Sequence, residues 1–133
     1  MSKVPEHTQY PPRIIEKLMG PIDHPRINIA KGSYVNGTSL LITHDGYSIT
    51  IGENCAIGHW VYMSTKMHKT DNHKEYFSGN IVIEDGVWIG NCAVIYPNVT
   101  IGANSVVGHA VTVVRDLPPD CIIKNNSVIV RKK

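Results

Sequence analysis

From Ile83 onward an aliphatic residue recurs at every sixth position: Ile83, Ile89, Ile95, Ile101, Val107 and Val113. A second set, apolar or small, stands two residues earlier: Ile81, Val87, Ala93, Val99, Ser105 and Val111. Residues two apart on a strand face the same way. Each unit of six therefore reads as a short strand with two inward positions, followed by a turn. The period is neither that of a helix nor a simple alternation. Glycine follows the aliphatic in Ile89-Gly90, Ile101-Gly102 and Val107-Gly108, and it is expected to supply the φ > 0 that a corner needs. Upstream, Ile51, Ile57 and Met63 keep the spacing, and Ile29, Val35, Leu41 and Tyr47 step by six in a frame displaced by four. That slip predicts an irregular coil near Asp45-Gly46.

Three such strands per turn make a coil of roughly 18 residues, the hexapeptide form of parallel β-helix. A β-sandwich of short strands is the alternative, but it does not hold a strict six-residue phase. The period fails in three places. Arg13–Met19, after Pro11-Pro12 and before Gly20, reads as a short N-terminal helix that caps the open end of the solenoid. Residues 65–80, TKMHKTDNHKEYFSGN, are polar and read as a loop extruded between two coils. From Leu117-Pro118-Pro119 the chain reads as a turn and a final strand or tail. The expected organisation is one all-β domain over 1–133, with a cap segment 1–26, a β-helix 27–123 and a tail 124–133.

Composition narrows the partners. With 133 residues, 42% hydrophobic and 18% charged, the chain fits one globular domain. A chain this size buries about two-thirds of its unfolded surface, so oligomerisation is an expected source of stability. A net charge of +2, with no basic run before Arg131-Lys132-Lys133, argues against nucleic acid. Three cysteines without a CxxC pair suggest neither a disulfide framework nor a zinc ribbon, and fit a cytoplasmic protein. No apolar run of about 18 residues predicts a membrane span. The first residues lack the apolar core of a signal peptide.

The stretches ITIGENCAIGHWVYMSTKMH (49–68) and IVIEDGVWIGNCAVIYPNVTIGANSVVGHAVTVVRDLPPD (81–120) resemble the hexapeptide-repeat acetyltransferases. The nearest branch is that of the maltose, galactoside, xenobiotic and polysaccharide O-acetyltransferases, and the resemblance covers about residues 27–133. It implies a left-handed coil and a homotrimer. It also implies acetyl-CoA as co-substrate in the cleft between subunits, a small sugar acceptor and no metal. A histidine of one subunit would take a proton from the acceptor hydroxyl, which attacks the thioester directly.

The resemblance assigns the general base to His68, in the extruded loop, with His73 as runner-up. A neutral imidazole suits that task. Trp88 in "VWIG", with Gly90 and Asn91 at the following corner, is expected near the thioester end of the cofactor. Gly108-His109-Ala110 stands where the family usually has Gly-Ala-Gly and where a backbone amide meets the pantetheine arm. Val114-Arg115-Asp116 occupies the usual Thr-Lys-Asp, which puts Arg115 near the CoA phosphates. Lys124, Arg131 and Lys132 match the terminal basic residues that reach the adenine end. The family's ending "AGNPAKVIR" is here "IIKNNSVIVRK", which alters the turn that packs on the adenine. Thr38, Asp45 and Trp60 are the acceptor-side candidates. Three other readings compete: a catalytically inactive scaffold or binding subunit, an N-acetyltransferase acting on an amino sugar, and a γ-class carbonic anhydrase. The spacing of five between His68 and His73 invites the last of these.

Overall fold

A computed structural model describes residues 18–125 and 127–130, and among them every regular element is a strand. The chain visits three parallel sheets in turn. Sheet I holds Ile27–Ile29, Ile49–Ile51, Ile81–Ile83 and Thr100–Ile101. Sheet II holds Tyr34–Val35, Ala56–Ile57, Trp88–Ile89, Val106–Val107 and Cys121–Lys124. Sheet III holds Leu40–Ile42, Tyr62–Ser64, Val94–Ile95 and Thr112–Val113. The periodic aliphatics point inward and stack: Ile49, Ile57, Met63, Ile81, Ile89, Ile95 and Ile101 are all 0% exposed.

The register locates every departure from period six. On sheet II the aligned residues are Val35, Ile57, Ile89, Val107 and Ile123, so successive coils take 22, 32, 18 and 16 residues. The steps from sheet I to II and from II to III stay at six throughout. Only the third corner, from sheet III back to sheet I, varies. Its steps run Leu41 to Ile51, Met63 to Ile83, Ile95 to Ile101 and Val113 to Leu117. The irregular coil expected near Asp45-Gly46 is the first of these. Tyr47, however, is not an inward residue. It lies in the extension, and its hydroxyl donates to Ser78 Oγ at 3.2 Å.

Residues 65–80 are extruded as expected, but they are not a plain loop. Lys66–His68 and Tyr76–Ser78 pair as an antiparallel hairpin, with Met67 opposite Phe77 and His68 opposite Tyr76. Apolar and aromatic cross-strand pairs supply the stabilisation. The expected helix over Arg13–Met19 lies mostly outside the described residues. Its last two, Leu18–Met19, form a strand antiparallel to Tyr34–Val35. The first coil otherwise leaves unpaired backbone groups on sheet II, and a strand satisfies them where a helix could not. At the other end Cys121–Lys124 turns back to pair with Ser127–Val130, which is the final strand expected there.

The corner glycines act differently from the expectation. Among the described non-glycine residues with positive φ, Asn54, Trp60, Cys92, Asn98, Asn104, Ala110 and Asp120 each stand three places after the inward aliphatic, with φ between 57° and 64°, and Gly32 and Gly86 take the same place at 78° and 71°. The glycine just after the aliphatic is needed for close approach instead. A Cβ on Gly102 would sit 2.3 Å from the Pro119 nitrogen of the next coil. Buried hydroxyls stitch the coils at the same corners. Ser105 Oγ donates to the Pro118 carbonyl at 2.7 Å and accepts the Cys121 N–H at 3.1 Å. Ser39 Oγ does the same with the Gly58 carbonyl at 2.7 Å and the Val61 N–H at 3.0 Å. In the equivalent place Cys55 donates its thiol to the Glu84 carbonyl at 3.1 Å. Burial pushes its pKa up, so the thiol keeps that proton.

Gly102→Ala is expected to cost about 1–3 kcal/mol in urea unfolding, because backbone must shift. Asn104→Gly, at the positive-φ position, is expected to stay within about 1 kcal/mol of wild type.

Candidate active site

The hairpin leaves the body at the third corner, and its root is pinned. Thr65, which is fully buried, accepts the His44 N–H on its Oγ1 at 3.0 Å, and that oxygen also bonds His44 Nδ1 at 2.8 Å. Three constraints hold the exposed His68 ring. Its backbone is paired in the hairpin, its face lies 4.5 Å from the Tyr76 ring at 36°, and its Nδ1 donates to the His73 carbonyl at 2.6 Å. A carbonyl only accepts, so Nδ1 carries the proton, and in the neutral ring the lone pair is on Nε2. That is the tautomer a general base acting through Nε2 needs. Lys66 Nζ covers Tyr76 at 4.4 Å from the ring centroid. His73 thus serves through its backbone oxygen.

The same edge carries Asp45 and Arg115. Asp45 is exposed and pairs with Arg26 Nη1 at 2.7 Å. Arg115 sits in the short turn of the last coil, whose Asp116 accepts the Thr100 N–H at 2.8 Å. Two clefts flank this turn. One of about 450 Å³ is lined by Val114, Arg115, Ile123 and Val128. The other, about 340 Å³, is lined by Phe77, Pro97, Asn98 and Arg115. Together they run from the hairpin flank to the terminal strands. Val114, 53% exposed, borders both.

The other candidates gather on the second corner, between sheets II and III. There a polar ladder climbs from coil to coil. Thr38 Oγ1 accepts the Trp60 N–H at 3.2 Å and bonds His59 Nδ1 at 3.0 Å. Asn91 Oδ1 accepts the His59 N–H at 2.9 Å, and His109 Nδ1 accepts the Asn91 N–H at 2.9 Å. The Trp88 and His109 rings meet edge to face, 5.7 Å apart at 89°. Gly90 leaves room for the His109 ring, and Gly108 lies against Lys124 of the next coil. Trp60 stands on the same ridge, 53% exposed and held at φ 59°.

The structure thus joins Trp88, Gly90, Asn91, Gly108 and His109 into one ridge, and sets His68 and Arg115 on a different edge. Among the described residues no hydrogen bond or ring contact links His68 to that ridge, and no three His, Cys, Asp or Glu side chains converge as metal ligands. Arg131 and Lys132 lie outside the described residues.

Comparison with known proteins accords with this architecture. Residues 80–115 match the family model for the bacterial transferase hexapeptide (six repeats). The chain is 37% identical over 100 residues to galactoside O-acetyltransferase of Escherichia coli, covering 72% of this chain and 48% of that protein. A hexapeptide-repeat acetyltransferase of Vibrio cholerae, solved in complex with acetyl-CoA, superposes with a TM-score of 0.69 at 35% identity over 81% of this chain and 60% of that one. A galactoside acetyltransferase in complex with coenzyme A gives a TM-score of 0.59 at 37% identity over 70% and 48% of the two chains. The chain carries the hexapeptide repeat of this family and is similar to hexapeptide-repeat acetyltransferases over most of its length. It spans about half the length of the curated relatives it matches.

Two groups at the His68 site escaped the sequence reading: the Tyr76 ring and the His73 carbonyl. Asn72 Oδ1 accepts the Lys74 N–H at 3.1 Å in the turn that folds them back. The run Thr70-Asp71-Asn72 was the available signal, since such residues favour turns.

Imidazole ¹⁵N NMR of the native protein is expected to show opposite tautomers at the two candidate histidines: proton on Nδ1 for His68, proton on Nε2 for His109.

Proposed function

We propose that the protein transfers the acetyl group of acetyl-CoA to a hydroxyl of a small sugar or polysaccharide precursor, with His68 as general base. The observation that carries this reading is the commitment of the exposed His68's Nδ1–H to the His73 carbonyl, which puts the lone pair of the neutral ring on Nε2. Nε2 takes the acceptor's hydroxyl proton as the oxygen attacks the thioester carbonyl. The new C–O bond forms, the C–S bond breaks, and the imidazolium returns the proton to the departing CoA sulfur.

Acetyl-CoA as co-substrate is supported by the acetyl-CoA and coenzyme A complexes of the two structural relatives. Arg115, in its groove, suits a phosphate by charge-assisted hydrogen bonding, and Lys124 stands beside Gly108 on the ridge. A sugar acceptor is supported by the galactoside relative. Trp60 offers an exposed ring for a sugar face, and Thr38 holds its backbone. The exposed Asp45–Arg26 pair is worth at most about 1 kcal/mol, so an acceptor hydroxyl can compete for the carboxylate.

The site is completed between copies in a homotrimer. The separation of His68 from the Trp88–His109 ridge supports this. So does the apolar outward row of Leu40, Tyr62 and Val94 on sheet III, next to the half-exposed Trp88 on sheet II. Three free cysteines fit a cytoplasmic location. No helix among the described residues is long and apolar enough to cross a membrane.

Thiol release from acetyl-CoA, assayed against a panel of sugars and amino sugars, tests the reading. His68→Ala is expected to fold, remain trimeric by light scattering and lose about 10²–10⁴-fold in rate. A near-wild-type rate would remove His68 from the mechanism. Tyr76→Ala is expected to lower kcat and leave the KM for acetyl-CoA in place, with Tyr76→Phe restoring the rate because the ring, not the hydroxyl, steadies the imidazole.

A further inference from the structure

His109 has a chemistry that exceeds its structural task in the ridge. That task is to accept the Asn91 N–H, at 2.9 Å. One coil earlier the corresponding bond, His59 N–H to Asn91 Oδ1, is also 2.9 Å and is made by an asparagine. A small amide therefore suffices for the rung. An imidazole adds a ring and a second nitrogen.

Both additions are fixed in place. Acceptance at Nδ1 puts the only proton of the neutral ring on Nε2. The Trp88 ring meets it edge to face at 5.7 Å. The space comes from Gly90: a Cβ there would lie 2.9 Å from His109 Nδ1 and 2.9 Å from its backbone nitrogen. Trp88 itself is 43% exposed, an apolar surface beside an outward N–H donor. The next residue, Ala110, holds φ 59°, a conformation disfavoured for a side chain with a Cβ and maintained by the fold around it.

We propose that His109 Nε2–H is a preset hydrogen-bond donor to a carbonyl of the acyl-CoA ligand, seated against the Trp88 ring. The inference rests on the acetyl-CoA reading above. The carbonyl has two sources in such a ligand, the thioester and the amides of the pantetheine arm. Protonation of the ring opposes this arrangement, since Nδ1–H would then face the Asn91 N–H.

The test is calorimetric titration of wild type, His109→Asn and His109→Ala with acetyl-CoA and, separately, with free coenzyme A. His109→Asn keeps an acceptor for the Asn91 N–H, so its melting temperature is expected to stay near that of wild type, whereas His109→Ala melts lower. Loss of one hydrogen bond is expected to weaken binding to His109→Asn about five- to ten-fold. Equal weakening for both ligands assigns the bond to a pantetheine amide, and weakening for acetyl-CoA alone assigns it to the thioester. If His109→Asn binds both ligands as wild type does, the proposal is overturned and the imidazole is a ladder rung only. If wild type binds neither ligand, the acetyl-CoA reading itself fails.

Discussion

Inward aliphatic side chains stacked coil upon coil are the constraint on which the rest of this structure depends. Residues such as Ile57, Ile89 and Val107 lie directly above one another on sheet II and are excluded from water. A one-residue slip would turn the whole inward set of a strand outward. Two corners are further tied by buried hydroxyls, Ser39 and Ser105, whose bonds reach the coil above. Length can therefore change only at the remaining corner, and all of it does. The extension near Asp45, the His68 hairpin and the shortened turn at Arg115 stand one above another on a single edge.

This segregation has a chemical consequence. The irregular edge carries His68, the proposed base, whose Nδ1 bonds a backbone carbonyl, and clefts lined in part by Arg115. The regular edge carries a ridge in which Thr38, Asn91 and His109 each bond the coil next to them, with the Trp88 and Trp60 rings exposed. The proposed base and the exposed Trp88 ring therefore lie on different edges of one chain. In the proposed trimer the hairpin of one copy meets the ridge of the next, which explains why the two half-sites sit on different corners.

The coil was legible in the sequence because its signal is redundant. Six successive aliphatics and their partners two residues earlier all report the same phase. The hairpin was legible only as an interruption. Its strands are three residues long and mostly exposed, so no burial pattern marked them, and Tyr76 could be matched to His68 only once the turn was known. Tyr47 was misplaced because six-residue spacing continues by chance into the extension. The glycines were placed correctly and explained wrongly: "IGEN" and "IGAN" each hold two special residues, and the asparagine takes the left-handed conformation while the glycine makes way for backbone. His109 and Arg115 were visible as residue types, and an 18-residue coil already sets Asn91 and His109 one above the other; what the sequence does not show is that the Asn91 N–H meets the His109 ring rather than its backbone.

The most direct measurement is complementation between two inactive copies, one carrying His68→Ala and the other Trp88→Ala with His109→Ala. The two are unfolded together, refolded as a mixture and assayed for acetyl-CoA thiol release. If each site takes its base from one copy and its ridge from the next, random assembly restores about a quarter of wild-type activity. Activity no higher than that of the separate variants would mean that base and ridge work within one chain or not at all, and would contradict the account.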